Sequence, residues 1–562
     1  MFTLHAHSNY SLLEGTIPID ELVSFAKKSG SRYVSLTDTN AMYGLIQFAK
    51  AAHEQGIKPI LGVWLDDPND KSLNAIFLAK DNEGYSLLCK LITSRKLKED
   101  FSLPKIFQQT PDNLFILTSS IELLKQIRIT PSLRKNLFVE LVITEKQKKK
   151  TRQLFDYAKD NNLQIAASHP AYFLRPKDFL LHKVVSAIRL NTTIENISED
   201  DLVDEEFFLK TPDELKKDWR ALPEAVWNAE KIAQSCNVDL ELGSLKFPSF
   251  PLSGEETAFS FLWKISFRGL EERYKPITEQ AVKRLQYELE VIDELGYSDY
   301  FLVVWDIVNE AKKRGMMHIG RGSAANSLVS FCLRFTEVDP IKYNLYFERF
   351  LNRGRTSPPD VDLDFSWKER DEIIKYVFEK YGYDKVAMIS TTVTFRARSA
   401  FREAAKAFGI SEGEISKYSK FIPWTSAKNL IEIAENFPEA KSLNFKSEPW
   451  KSIVEIAAQL SSYPRHLSIH PSGIVITQKP ITNYVALEYA KNKGLGIIVT
   501  QPDMYPIEDM GLVKIDLLSQ RSLGVIKDVM NEINDNSKPP DKKEPTGAGK
   551  LQLVRFERSS TS

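Results

Sequence analysis

Asp360, Asp362 and Asp364 alternate with Val361, Leu363 and Phe365. Strict alternation marks a strand and puts the three carboxylates on one face and the apolar side chains on the other. Adjacent carboxylates repel, so the pattern calls for a cation, and hard divalent ions such as Mg2+ take oxygen ligands. The plainer alternative is a solvated acidic face. Residues 511–518 form a second apolar run with Lys514 and Asp516 inside it. An aspartate there is costly unless it is paired or metal-bound. Lys514 shares its face and offers a simple ion pair. A third carboxylate and a cation beside an Asp-x-Asp strand are also the equipment of two-metal phosphoryl transfer, in which the acids hold two cations and the lysine neutralises phosphate charge.

Gly320, Arg321, Gly322 and Ser323 lead into the apolar run 328–333. Glycines at a turn let backbone N–H groups approach a ligand. Ser323 has the side chain of an N-cap, a helix start attracts anions, and Arg321 adds a fixed positive charge. A capped helix after a turn accounts for the same residues. Lys312, Lys313, Arg314, Arg334, Lys342, Arg349, Arg353 and Arg355 flank the acidic strand, and Arg396, Arg398 and Arg402 form a further group. Both groups suit phosphate or DNA-backbone binding, and both also suit solvated helix faces. Near the N-terminus, His5 and His7 end a short β-run, so both imidazoles share a face where a metal could bind.

The elements that must carry these residues alternate in type. Over 1–65 the order is strand, helix (19–28), strand (33–36), helix (46–52) and strand (60–63). That is the rhythm of an α/β domain with a parallel sheet or barrel. It recurs at 75–79, 114–117, 137–142 and 164–167. A long helical stretch covers 255–315. Short strands follow at 316–319, 361–365, 387–390, 473–477, 496–500 and 512–517, interrupted by a helix-rich polar insert at 408–465. Strands on both sides of an insert indicate one sheet with a subdomain looped out of it. The tail from Asn534 lacks periodicity and reads as disordered.

The 562 residues exceed what one core can hold. Lys+Arg and Asp+Glu both number 75, so any nucleic-acid surface must come from local clustering. Cys89, Cys236 and Cys332 lie too far apart for zinc spacing or a disulfide framework. There is no charged-then-apolar leader and no spanning apolar run. The expectation is a soluble cytoplasmic chain with no membrane partner.

Several segments together resemble the palm of bacterial C-family polymerases, the DNA polymerase III alpha type, in order and spacing over about 255–533. They are Gly-Arg-Gly-Ser-Ala-Ala at 320–325, residues 339–352, Pro-Asp-x-Asp-x-Asp-Phe at 359–365, Glu-Lys-Tyr-Gly at 379–382, Arg465 and His466 with His470, Pro471, Ser472 and Gly473, and Gly-Leu-Val-Lys-Ile-Asp-Leu-Leu at 511–518. The resemblance implies an α/β multidomain chain with a polymerase-beta-like nucleotidyltransferase palm and a helical thumb insert. Carried over by position, Asp360, Asp362 and Asp516 are the catalytic acids, and with Asp364 they hold two Mg2+ ions. Arg321, Gly322, Ser323 and Lys514 bind the nucleotide, and Arg396, Arg398 and Arg402 bind DNA. Asn326 stands where the family more often has Gly. The run at 394–400 looks closer to the error-prone branch. The implied activity joins dNTPs to a primer 3′-hydroxyl, with primer-template DNA and dNTPs as partners. In that family fingers, a clamp-binding segment and an oligonucleotide-binding domain follow the palm, and nothing from Asn534 onward resembles them. The chain is therefore expected to need a second polypeptide carrying fingers and clamp-binding region, or else to be a silent DNA- or protein-binding remnant.

The front of the chain, with His5, His7, Asp38, Met42-Tyr43-Gly44 and residues 56–62, resembles the polymerase and histidinol phosphatase (PHP) domain, a distorted TIM-like α/β barrel. Active members hold a trinuclear metal cluster. Here Thr39 stands for a usual His, Trp64 for a Glu, Asn74 for a His, and Pro170, Ala171 and Tyr172 for a late Asp-x-His. His5, His7 and Asp38, with Glu140, remain. This implies at most one residual Zn2+ or Mn2+ ion and a structural role. A phosphoesterase or 3′–5′ exonuclease is the remaining alternative. The expected domains are PHP 1–245, palm 246–407 and 486–533, thumb 408–485, and tail 534–562.

Overall fold

The computed structural model describes residues 2–109, 112–252, 254–354, 359, 361–430, 432, 445–490 and 497–535. Asp360, Arg355 and the tail beyond Asp535 lie outside the described residues. The chain forms two units that interleave along the sequence. One comprises Met1–Leu242, Thr391–Ser468 and Val485–Glu488; the other comprises Gly243–Ser390, Ile469–Tyr484 and Tyr489–Ser562.

The first unit carries a six-stranded sheet in the order β1 (Tyr33–Leu36), β2 (Lys58–Asp66), β3 (Asn74–Ala79), β4 (Leu114–Thr118), β5 (Leu137–Val142) and β6 (Gln164–Ser168). β4 and β5 are buried at every residue, which explains their continuous rather than alternating apolar runs. The parallel expectation holds for β1 with β2 and for β4, β5 and β6. β3 departs from it, running antiparallel to both neighbours. Its short connection to β2, 67–73, closes a hairpin, whereas a parallel crossover needs about a dozen residues or more. The N-terminal segment lies between β1 and residue 171: the Thr37 N–H donates to the Ala6 carbonyl at 2.8 Å and the His7 N–H to the Ala171 carbonyl at 2.8 Å. A separate helical core in this unit joins Leu181, Val184 and Val185 to Phe401, Ile415, Ile453 and Ala457.

The second unit holds most of a seven-stranded sheet. Its strands are β7 (His318–Arg321), β8 (Asp362–Ser366), β9 (Val386–Thr394), β10 (Pro464–Ile476), β11 (Leu487–Tyr489), β12 (Ile498–Asp503) and β13 (Lys514–Gln520), in the order β11-β12-β9-β10-β13-β8-β7. The long helical stretch resolves into Ala258–Arg273, Glu279–Glu294 and Ser298–Lys313. Their apolar faces form one core with Val361, Leu363 and Phe365, all fully buried. The alternation around Asp362 therefore does what its pattern requires, one face packing the core and the other holding acids.

Among the described residues no helix is long and apolar enough to cross a membrane. Cys89, Cys236 and Cys332 are buried free thiols.

Candidate active site

β13 runs parallel to β8 with Asp516 opposite Asp362 and Leu518 opposite Asp364. On the other side of β8, antiparallel β7 places Arg321 opposite Asp362. Paired residues share a sheet face, so Asp362, Asp364, Lys514, Asp516 and Arg321 converge on one side. Arg321 Nε lies 3.6 Å from Asp362 Oδ2 and 3.7 Å from Asp364 Oδ2. Lys514 Nζ donates to Asp516 Oδ2 at 2.5 Å, so the simple pair read from the sequence exists, and it sits beside the other acids. Gln520 Nε2 reaches Asp364 Oδ1 at 3.3 Å. Asp360 lies outside the described residues. Among those described, no three His, Cys, Asp or Glu are gathered tightly enough to hold an ion, and the acids' charge is met by Arg321 and Lys514.

The other oxygen of Asp516 is held by a residue to which the sequence assigns no role. Ser472 Oγ donates to Asp516 Oδ1 at 2.7 Å, from β10, where Gly473 pairs with Asp516. A Cβ on Gly473 would stand 2.9 Å from His470 Nδ1 and 3.1 Å from Ile389 Cδ1, so the crowding excludes a larger residue. Local periodicity cannot reveal this contact. The available signal was the Ser-Gly pair inside an otherwise apolar strand end.

The loop before the acidic strand is arranged differently from its sequence reading. Gly322 has φ +72°, and residues Gly322–Asn326 form a 3-10 turn pinned by the Asn326 amide, which donates to the Ser323 carbonyl at 2.9 Å. Ser323 is not the N-cap. Ser327 caps the helix Leu328–Cys332, accepting from the Ser330 N–H. That helix has only five residues, and its start is occupied by the chain's own carboxylate. Glu288 Oε2 accepts from Ser327 Oγ at 2.7 Å and from the Val329 N–H at 3.1 Å. The expected anion site at this helix start is thus filled from within, and any phosphate role of the loop rests on Arg321 and its neighbouring backbone.

Of the DNA-binding candidates, Arg398 donates to the Ile422 carbonyl at 2.7 Å. Arg402 donates to Ser419 Oγ at 3.0 Å and pairs with Glu412. Both brace the first unit's helical core. Arg396 begins the helix Ala397–Ala407, its backbone N–H donating to Ser399 Oγ.

In the first unit His5, His7, Asp38 and Glu140 form one buried network. His5 Nδ1 donates to Glu140 Oε1 at 2.8 Å, and His5 Nε2 faces His7 Nε2 at 2.9 Å. His7 Nδ1 meets Ser11 Oγ at 3.1 Å and Thr39 Oγ1 at 3.2 Å. Asp38 accepts from the Ser8 N–H, Ser8 Oγ and Ser11 Oγ at 2.7–2.8 Å. Burial, and then the neighbouring His5, hold the His7 imidazole well below its ordinary value. Burial pushes the Asp38 carboxyl up to about 6 against those hydrogen bonds. Burial is the strongest single influence on Glu140 and would raise it, but His5, Ser168 and Lys150 together hold it below the ordinary carboxylate range. Tyr172, standing in place of a usual ligand, stacks on the His7 ring at 4.0 Å. His169 turns away and donates from Nε2 to the Phe208 carbonyl at 2.9 Å.

Residues 260–519 match the bacterial DNA polymerase III alpha NTPase domain, and residues 3–164 match the PHP domain. The DNA polymerase III subunit alpha of Bacillus subtilis (strain 168) is 34% identical over 556 residues, covering 94% of this chain and 49% of the relative. The corresponding subunit of Borreliella burgdorferi is 33% identical over 94% of this chain and 49% of its own length. An error-prone DNA polymerase of Symbiobacterium thermophilum is 31% identical over 95% of this chain and 52% of its own length. The chain spans about half the length of the curated relatives it matches.

Proposed function

This chain belongs to the bacterial DNA polymerase III alpha family, and on that premise we propose that its second unit is a nucleotidyltransferase palm joining dNTPs to a primer 3′-hydroxyl on template DNA. The observation that carries the reading is the register of Asp516 against Asp362, two acids remote in sequence and adjacent in the sheet. Both domain families are metal-dependent. Asp362, Asp364 and Asp516 offer carboxylate oxygens, the donor type Mg2+ takes, and Asp360 is proposed as a further ligand by its place in the sequence alone. Two such ions, when bound, supply activation of the primer hydroxyl and stabilisation of the pyrophosphate leaving group. The chain's own part is electrostatic and positional. The acids concentrate negative charge on one face, and Arg321 and Lys514 bring cationic groups to the same face, where a triphosphate needs them. Template pairing chooses the base.

We propose that the fingers of this polymerase type, on this polypeptide or a second one, pack against the end of the palm. Supporting this, the last described helix, Arg521–Asp535, leaves Val525, Ile526, Val529, Met530 and Ile533 45–67% exposed along one arc. Contiguous exposed apolar surface of this kind marks a packing face.

We read the first unit's histidine site as structural. Its donors do not suit a trinuclear cluster, because both Asp38 oxygens are already engaged and the Nε2 atoms of His5 and His7 face each other. The network instead fixes the N-terminal segment in its place beside β1.

Primer extension with Mg2+ and dNTPs, by the chain alone and with the C-terminal half of the Bacillus subtilis relative added, tests the palm. Asp362→Ala and Asp516→Ala should each lower extension by about 10^3-fold or more. Extension by either variant at the wild-type rate would remove the assignment.

A further inference from the structure

Asp516 presents a carboxylate held at Oδ2 by Lys514 of its own strand and at Oδ1 by Ser472 of a neighbouring one. Oδ1 accepts from Ser472 Oγ at 2.7 Å, and the serine is 3% exposed, so water does not compete for that contact. The turn that delivers Ser472 is fixed in two ways. His470 Nδ1 accepts the Gly473 N–H at 2.8 Å, which curls the backbone around the serine. Arg370 then straps the turn to the catalytic strand, Nε donating to the Leu517 carbonyl at 2.7 Å and Nη2 to the Pro471 carbonyl at 2.5 Å.

The two carbonyls that Arg370 bridges belong to the residues next to Asp516 and Ser472. One planar guanidinium thus sets the spacing between the serine and the aspartate. A lysine could reach one carbonyl but could not hold both in a fixed fork. Arg370 is not placed as a phosphate ligand. It sits at the first position of the helix Arg370–Tyr381, its third nitrogen, Nη1, meets Asp371 at 3.4 Å, and burial lowers its pKa from the ordinary arginine value. A half-buried arginine spent on two main-chain carbonyls makes sense as a geometric brace.

We infer that Ser472 and Arg370 are positioning residues for the palm's metal site, Ser472 fixing the rotation of the Asp516 carboxylate and Arg370 fixing the distance from which it does so. This rests on the palm reading, in which Asp516 shares a divalent ion with Asp362. Partners of this kind orient a ligating carboxylate, and their removal typically weakens metal affinity by about 10–100-fold.

The test is Mn2+ binding to the full chain, followed by electron paramagnetic resonance, with thermal unfolding measured on every variant. Asp516→Asn is the reference and should abolish the tightest Mn2+ site. Ser472→Ala should raise the apparent Kd about 10-fold or more, and Ser472→Thr, which keeps the hydroxyl, should return it to within about 3-fold of wild type. Arg370→Gln should weaken binding, and Arg370→Lys should recover only part of it. Wild-type Mn2+ affinity in Ser472→Ala and Arg370→Gln, alongside loss in Asp516→Asn, would overturn the positioning roles and leave the palm reading standing. Unchanged Mn2+ binding in Asp516→Asn would remove both. If Ser472→Ala or Arg370→Gln unfolds, the decision passes to the conservative pair: Ser472→Thr binding as weakly as Asp516→Asn while melting like wild type would count against the hydroxyl's role.

Discussion

His182 is fully buried in the first unit, its Nδ1 donating to the Glu14 carbonyl at 2.9 Å and its Nε2 accepting the Val203 N–H at 3.3 Å. The Val203 contact needs the neutral ring, because a protonated Nε2 cannot accept. Burial, outweighing the Glu14 contact and assisted by Arg189, lowers its pKa to about 4. The unfolded chain takes up this proton near the ordinary value, about 6.5, and the folded chain only near 4. The stability this residue contributes is therefore complete above about pH 6.5 and is lost as pH falls toward 4, by about 2 kcal/mol at pH 5. Asp38, raised to about 6, acts in the opposite sense over an overlapping range, so only a comparison isolates the histidine. In urea unfolding at pH 7 and pH 5, His182→Asn should lose less stability on acidification than wild type. Equal losses would refute the assignment. At this scale the sequence is legible where one side chain's task is written in its own segment, as for Asp362 and Asp364 in an alternating strand. It marks Ser472 only as a member of a motif, without its task, and is silent on Arg370; the partners of both lie on other strands and are reached through tertiary contacts.

The element whose beginning was misread shows the same limit one level up. A serine after glycine is an ordinary N-cap signal, and Ser323 carries it, yet the helix begins at Ser327. What decides the start is Glu288, on the helix Glu279–Glu294, fully buried and linked to Ser327, to Val329 and to Arg284 Nε at 2.6 Å. Burial raises this carboxyl above its ordinary value, opposed by the Leu328 N–H, Arg284 and Ser327. No local pattern marks a cap supplied from another helix. Glu288→Ala would strand Ser327 Oγ and the Val329 N–H in the core and take the carboxylate from Arg284, which keeps the Asn326 and Leu345 carbonyls, and should cost about 3–5 kcal/mol. Glu288→Gln, which keeps an acceptor, should cost about 1–2 kcal/mol. Denaturant midpoints measure the difference, and equal losses for the two variants would mean that packing volume, not the cap, sets the stability. The strands were legible for a contrasting reason. Their apolar runs report burial directly, although β10, with His466, Ser468 and His470 along it, extends well before the part its apolar end reveals.

At the scale of the whole chain, sequence order and spatial unit diverge. A linear reading assigns 391–407 to the palm and 408–485 to a thumb, whereas Thr391–Ser468 belongs to the same unit as Met1–Leu242. The join is substantial. Leu181, Val184 and Val185 of the helix Phe179–Leu190 share a core with Phe401, Ala404 and Ala457. The Ile194 N–H donates to the Ala407 carbonyl at 2.9 Å, and Tyr463 Oη donates to the Thr16 carbonyl at 2.8 Å. Tyr43 Oη donates to Glu488 Oε2 at 2.7 Å. A fragment cut at residue 242 exposes the apolar side of that helix. Full burial of a leucine or valine contributes about 1.5–3 kcal/mol, so three such residues represent roughly 5–9 kcal/mol. That is comparable with the whole stability of a typical domain, about 5–15 kcal/mol. Residues 1–242 alone should therefore lack a cooperative thermal transition, and the same fragment joined by a linker to residues 391–468 should regain one. Differential scanning calorimetry of the two fragments decides the matter. If residues 1–242 alone melt cooperatively within a few degrees of the joined form, the helical core between them contributes little, and the front segment is a self-sufficient domain after all.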